Sequence, residues 1–127
     1  MAGTLTASVV KNDTTTPPAF QNSAGTEIGQ LSRAWVNFNG STGVIRASFN
    51  VTSITKNGTG DYTVNMTNSL PDANYSVSGL CGGTANVGFI WLADQITART
   101  TSLFRFYTLS NTTAVADPAQ VNIAVNR

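Results

Sequence analysis

Residues 44–66 read "VIRASFNVTSITKNGTGDYTVNM", and the alternation within this stretch decides the fold. Side chains of an extended chain point to opposite faces in turn, so Ile45, Ala47, Phe49 and Val51 share one side. Arg46, Ser48, Asn50 and Thr52 share the other. Tyr62, Val64 and Met66 repeat the pattern after a polar interruption. Within that interruption Asn57-Gly58 is a strong two-residue hairpin signal, because both central residues of such a turn take positive φ. A turn centred there predicts a hairpin joining residues 48–55 to residues 60–67. It sets Phe49 opposite Met66, Val51 opposite Val64, Ser53 opposite Tyr62, and Asn50 opposite Asn65 on the outer face. A slip of one residue would send every apolar side chain to the wrong side, so the pattern specifies a register.

Upstream, "RAWVNFNG" (residues 33–40) alternates in the same way. Ala34, Val36 and Phe38 form an apolar set, while Arg33, Trp35, Asn37 and Asn39 form a polar one that includes a large aromatic. The turn "NGSTG" (residues 39–43) joins it to the next strand, and the expected pairing puts Trp35 beside Ser48 with Arg46 or Asn50 diagonal to it. Downstream, "NYSVSG", "NVGFIWLAD", "TSLFRFYTLS" and "QVNIAVN" are further strands bounded by Gly, Pro, Asn or Asp. No stretch has helical periodicity. The expected fold is all-β, an antiparallel β-sandwich of jelly-roll-like type over residues 33–127, carrying an extended N-terminal arm over residues 1–32. The arm has a short apolar run from Leu5 to Val10 and then Pro17-Pro18, which excludes helix and regular sheet. Leu5, Val9, Val10, Pro17, Pro18 and Phe20 are its candidate attachment residues, since so few apolar groups need another surface to lie on.

Composition narrows the chemistry. The 127 residues carry seven Lys and Arg, six Asp and Glu and no His, for a net charge of +1. Basic residues are scattered, so neither nucleic acid nor an anionic membrane is an expected partner. No apolar run approaches the length of a membrane span and nothing resembles a signal peptide, which makes synthesis and residence on the cytoplasmic side the expectation. Without His, and with Asp13, Glu27, Asp61, Asp72, Asp94 and Asp117 dispersed, no acid–base pair or metal cage is expected. The chain is therefore read as a non-enzyme without metal or cofactor. Asp61, Asp72 and Asp117 sit beside turn signals, which explains them structurally. Asn-X-Ser/Thr sequons at Asn12, Asn39, Asn50, Asn57, Asn65, Asn74 and Asn111 follow from an Asn- and Thr-rich composition. Cys81, in "SGLCGG", lacks a basic neighbour and reads as a small, partly buried thiol. Trp91, in the apolar run "FIWLA", is expected in the core.

Trp35 is the candidate contact residue, with Arg46, Asn50 and Asn65 as its polar companions. An outward Trp among amides fits a protein interface, the cover of a second sheet, or a platform for a sugar ring.

The stretch from "NSAGTEIG" through "AWVNFNG", "NGTGDYTVN" and "PDANY", with "TTSLFRFYT" and "VNIAVNR" near the end, resembles a β-rich module of bacteriophage tail fibres and other fibre-like virion proteins. The resemblance covers roughly residues 20–127, and the "PPAFQNSAGTEIG" arm is similar to the leader preceding such modules. It implies a homotrimeric fibre or spike protein of the virion, bound through its arm to other virion proteins of tail or capsid, with host surface glycan as a candidate contact. A capsid decoration or cement protein stabilising the shell is the alternative, and a glycan-binding or glycan-degrading module the third reading. The resemblance carries over no catalytic residue.

Overall fold

The computed structural model describes residues 3, 6–7, 9–11, 18–84 and 86–127. It divides into two units, Met1–Leu31 and Ser32–Arg127. Leu5 and Pro17 lie outside the described residues.

In the first unit, β1 (Phe20–Gln21) and β2 (Glu27–Gly29) form a small antiparallel hairpin. Asn22 shapes its turn: the side-chain oxygen accepts from the backbone N–H of Ala24 and of Thr26, each at 3.0 Å. Gly25 supplies the positive φ of 79° that closes the loop. This hairpin is a finding that the extended-arm reading did not anticipate. Val9, Val10, Phe20, Ile28 and Leu31 are exposed.

The second unit is the antiparallel sandwich that the alternation implied, with no helix among the described residues. Its strands are β3 (Ser32–Phe38), β4 (Ile45–Phe49), β5 (Val51–Gly58), β6 (Asp61–Met66), β7 (Ser76–Gly82), β8 (Val87–Leu92), β9 (Leu103–Ser110) and β10 (Gln120–Asn126). They form two four-stranded sheets of order β4-β3-β10-β7 and β5-β6-β9-β8. Ala34, Val36 and Phe38 from β3, Tyr62, Val64 and Met66 from β6, Phe104 and Phe106 from β9, and Val121, Ile123 and Val125 from β10 fill the core. Aromatic contacts lock it, with Phe38 edge-on to Tyr62 at 5.2 Å and Tyr62 tilted against Phe106 at 5.5 Å between ring centroids.

The stretch that set the fold class is where the structure corrects the register. Residues 45–58 are two strands in two sheets. Asn50 has φ of 55°, which breaks the extended run and passes the chain from β4 across to β5. Its amide holds the pivot, donating to the Arg33 and Asn68 carbonyls at 3.0 and 3.1 Å while its oxygen accepts from the Asn68 N–H at 2.7 Å. Asn50 therefore does not face Asn65, and Phe49 does not pair with Met66. Val51 pairs with Met66 instead, and after a bulge at Thr52 the partners are Ser53 with Asn65 and Ile54 with Val64.

A second bulge, at Arg46 between the pairs Phe38–Ile45 and Asn37–Ala47, turns the rest of β4 over. Ile45 faces the core, whereas Ala47 and Phe49 face outward, and Trp35 pairs with Phe49 rather than lying beside Ser48. The hairpin turn also lies beyond Asn57-Gly58. Gly58 pairs with Asp61, and Gly60, with φ of 62°, carries the left-handed residue. A Cβ on Gly60 would meet the Ala116 nitrogen at 2.6 Å, so close approach as well as φ requires glycine there. Trp91 is the last correction: it is 64% exposed, because on β8 Ile90 and Leu92 take the inward positions.

Candidate functional site

Register places two rows of side chains across the outer face of the β4-β3-β10-β7 sheet. Phe49, Trp35, Ala124 and Ser78 form one row, and Ala47, Asn37, Asn122 and Leu80 the next. Large groups at the flanks and small ones between leave an open groove of about 670 Å³, with Trp35 and Leu80 among its lining and Ser78 and Ala124 between them. Phe49 is 56% exposed, Leu80 75% and Trp35 41%, so three large apolar groups stand in solvent on one sheet face.

The polar groups of this face are tied down. The Asn37 amide donates to the Asn122 side-chain oxygen. Arg46, the bulge residue, donates to the carbonyls of Phe38 at 3.1 Å and Ala119 at 2.7 Å, with a long 3.5 Å contact to Asn37. Arg33 and Arg46 are the charged residues of these four strands, which contain no Lys, Asp or Glu. The ion pairs lie elsewhere, as Lys56–Asp117, Arg105–Asp61, Arg127–Asp72 and Arg99–Asp94. An indole, a phenyl ring, an isobutyl group and mutually bonded amides suit contact with another surface.

The four residues singled out from the sequence do not converge. Trp35 and Arg46 share this sheet, Asn50 is the pivot between sheets, and Asn65 lies on the outer face of the other sheet, donating to Ser53 and Thr55 oxygens at 3.1 and 3.0 Å. Phe49 and Leu80 belong to the candidate face and were not anticipated. Phe49 was assigned inward because the Arg46 bulge leaves no mark on the alternation, and Leu80 carried only a weak signal beside "CGG". Among the described arm candidates, Val9, Val10, Pro18 and Phe20, all but Pro18 are exposed and only Phe20 falls in a strand.

Asp117 does structural work. Asp117 accepts from the Lys56 ammonium at 2.5 Å, the Gly60 N–H at 2.7 Å and the Tyr62 hydroxyl at 2.7 Å, which pins the β5–β6 turn to the segment before β10. Burial alone would raise the Asp117 carboxyl, but those three donors outweigh it and its pKa is lowered. Burial, and then the nearby Asp117 carboxylate, push the Tyr62 hydroxyl far above its ordinary range. Tyr75, whose hydroxyl donates to the Thr100 and Leu103 carbonyls, is pushed up by burial to about 12. Burial also raises the Cys81 thiol, an unreactive direction for a half-buried sulfur. Among the described residues no three His, Cys, Asp or Glu side chains are grouped to hold a metal ion.

No protein-family model matches the sequence, and no curated protein matches it either. Among solved structures the chain is similar to the phiAB6 tailspike, crystallised in complex with three-repeated oligosaccharides of Acinetobacter baumannii surface polysaccharide. The TM-score is 0.52 at 15% identity, over 97% of this chain and 30% of the tailspike chain. The likeness is one of fold, and the chain spans less than a third of the tailspike's length.

Proposed function

We propose that this chain is a structural protein of a phage virion, of fibre or spike type. It assembles as a homotrimer, its N-terminal arm fixes it to other virion proteins, and its β-sandwich faces outward toward the host surface. The fold shared with a phage tailspike, whose structure carries surface-polysaccharide oligosaccharides, supports the virion part of this reading. The observation that carries the assembly part is the outer face of β4-β3-β10-β7, where Trp35, Phe49 and Leu80 are exposed on strands free of carboxylates and lysines. Interface cores are depleted of charge and enriched in Trp and Phe, and energy concentrates in a few such anchors. Three copies turning this face toward a common axis would cover it in all copies at once. Arg33 and Arg46 fit the same role, as Arg is retained at interfaces where Lys is not. The apolar side chains of the arm, Val9, Val10 and Phe20, are exposed and available for attachment.

Sedimentation equilibrium of the full chain tests this assembly. The expected mass is three times the 13.3 kDa of one chain. Trp35→Ser alters an outward side chain, so it should leave the fold intact and shift the mass toward one chain at the same concentration. A single-chain mass for the parent protein, or a trimer indifferent to Trp35→Ser, would overturn the role given to this face.

A further inference from the structure

The β1–β2 hairpin of the first unit is closed by its own bonds and apolar on one side. Besides the Asn22 side chain, two backbone bonds shape the turn: the Asn22 N–H donates to the Thr26 carbonyl at 2.9 Å and the Gly25 N–H to the Asn22 carbonyl at 3.0 Å. Gln21 pairs with Glu27, so these two polar side chains share a face. Phe20 and Ile28 each adjoin that pair along the chain and point to the other face. The register then shifts and Phe20 pairs with Gly29, which adds no side chain beside the ring. Phe20 is 46% exposed, Ile28 68% and Leu31, just beyond β2, 51%. Strands of two and three residues enclose no core, and a two-stranded hairpin is marginally stable until a further surface covers it. The charge of this segment is one-sided. Residues 12–32 contain Asp13 and Glu27 and no Lys or Arg; Asp13 lies outside the described residues.

We propose that this hairpin is the element that attaches the chain to the particle: Phe20, Ile28 and Leu31 dock on an apolar surface of a second virion protein, one ringed by lysine or arginine. Apolar side chains held out on a preformed turn lose little freedom on docking, so a few of them suffice as anchors. A basic surround is selected because the segment presents carboxylates without cations. Acid on the partner would repel it, whereas lysine or arginine draws it in and fixes its orientation. The same acidity disfavours nucleic acid or an anionic membrane as the docking surface. A second copy of this chain is the competing occupant, but its exposed apolar face, with Trp35, Phe49 and Leu80, already serves the three-fold contact proposed above.

The inference rests on the attachment role given to the arm and names the part of the arm that performs it. The test uses full-length variants supplied during phage growth, with the amount of chain per particle read by quantitative immunoblot of purified virions. Ile28→Ser and Phe20→Ser should each lower incorporation about tenfold or more, the scale of losing one interface anchor. Gln21→Ala, on the polar face, should incorporate like the parent. Asn22→Ala should also lower incorporation, because it opens the turn without removing an apolar group, and Glu27→Lys should lower it by opposing the basic surround. Thermal melting and sedimentation of all these variants should match the parent, since the sandwich core begins at Ala34. If Ile28→Ser and Phe20→Ser incorporate normally while the chain lacking residues 1–30 does not, the hairpin role falls and the attachment role of the arm stands. Normal incorporation of that truncated chain would remove both. A lower sedimentation mass for Ile28→Ser would make a neighbouring copy the occupant and overturn the proposal, and an unaffected Glu27→Lys would overturn the basic surround.

Discussion

Replacing Asn50 tests the pivot on which the two-sheet architecture turns. The residue sits at φ of 55°. For an alanine that conformation costs about 1–2 kcal/mol, whereas glycine adopts it freely. The amide also makes the three hydrogen bonds to Arg33, Asn68 carbonyl and Asn68 N–H. Each is worth about 0.5–1.5 kcal/mol net, and their partial exposure places them in the lower half of that range, for about 2 kcal/mol together. Asn50→Ala should therefore destabilise by about 3–4 kcal/mol, and Asn50→Gly by about 2, because glycine removes the bonds but not the backbone fit. In equilibrium urea unfolding with a slope of about 1.5 kcal/mol/M, the midpoints fall by about 2–2.7 M and about 1.3 M respectively. Equal losses for the two variants would mean that the left-handed backbone contributes nothing. A loss below about 0.5 kcal/mol for Asn50→Ala, the usual scale of a neutral surface change, would refute the break between β4 and β5 altogether.

Three further outcomes follow from the same structure. Asp117 has a folded-state pKa below its ordinary 3.8, so its contribution is complete above that value and is lost as the pH falls through the folded one. Melting temperatures measured from pH 7 down to pH 2 should drop below about pH 4, and Asp117→Asn should melt lower at pH 7 with a shallower acid decline; Asp61 and Asp72, also lowered, keep the decline from vanishing. Gly60→Ala forces a Cβ against the Ala116 nitrogen and the Thr108 carbonyl at 2.6 and 2.7 Å; calorimetry should show a melting point lower by about 10 °C or more, taking a cost of at least about 2 kcal/mol. Deleting residues 1–30 should leave the urea midpoint of the sandwich unchanged, because its core draws on residues from Ala34 onward, while incorporation into particles, read by immunoblot of purified virions, is lost.

How far the sequence carried this fold is visible residue by residue. The inward sets Ala34, Val36, Phe38 and Tyr62, Val64, Met66 were legible because each lies on a regular strand whose one face is buried. The strand at 120–126 was legible for the same reason. The order of strands in each sheet was not, since alternation gives a face and not a neighbour. Two local events hid the candidate face. The bulge at Arg46 adds one residue without disturbing the alternation in the text of the sequence, so Phe49 read as core and stands in solvent. Asn50 then takes a conformation that an Asn tolerates but does not announce. Trp91 lies in a run apolar at every position, where periodicity cannot tell the two faces of an edge strand apart. Asp61 was explained by its turn, and only the fold brought Arg105, Tyr107 and Trp91 beside it.

The most direct measurement is a cryo-electron microscopy reconstruction of the phage particle that contains this chain. The account predicts three copies around an axis on a tail fibre or spike, arms turned toward the particle. Their β4-β3-β10-β7 faces, with Trp35, Phe49 and Leu80, would be buried at the axis, and the Trp91 edges would face solvent. Single copies, a lattice of copies over the capsid shell, or a β4-β3-β10-β7 face left bare to solvent would contradict it.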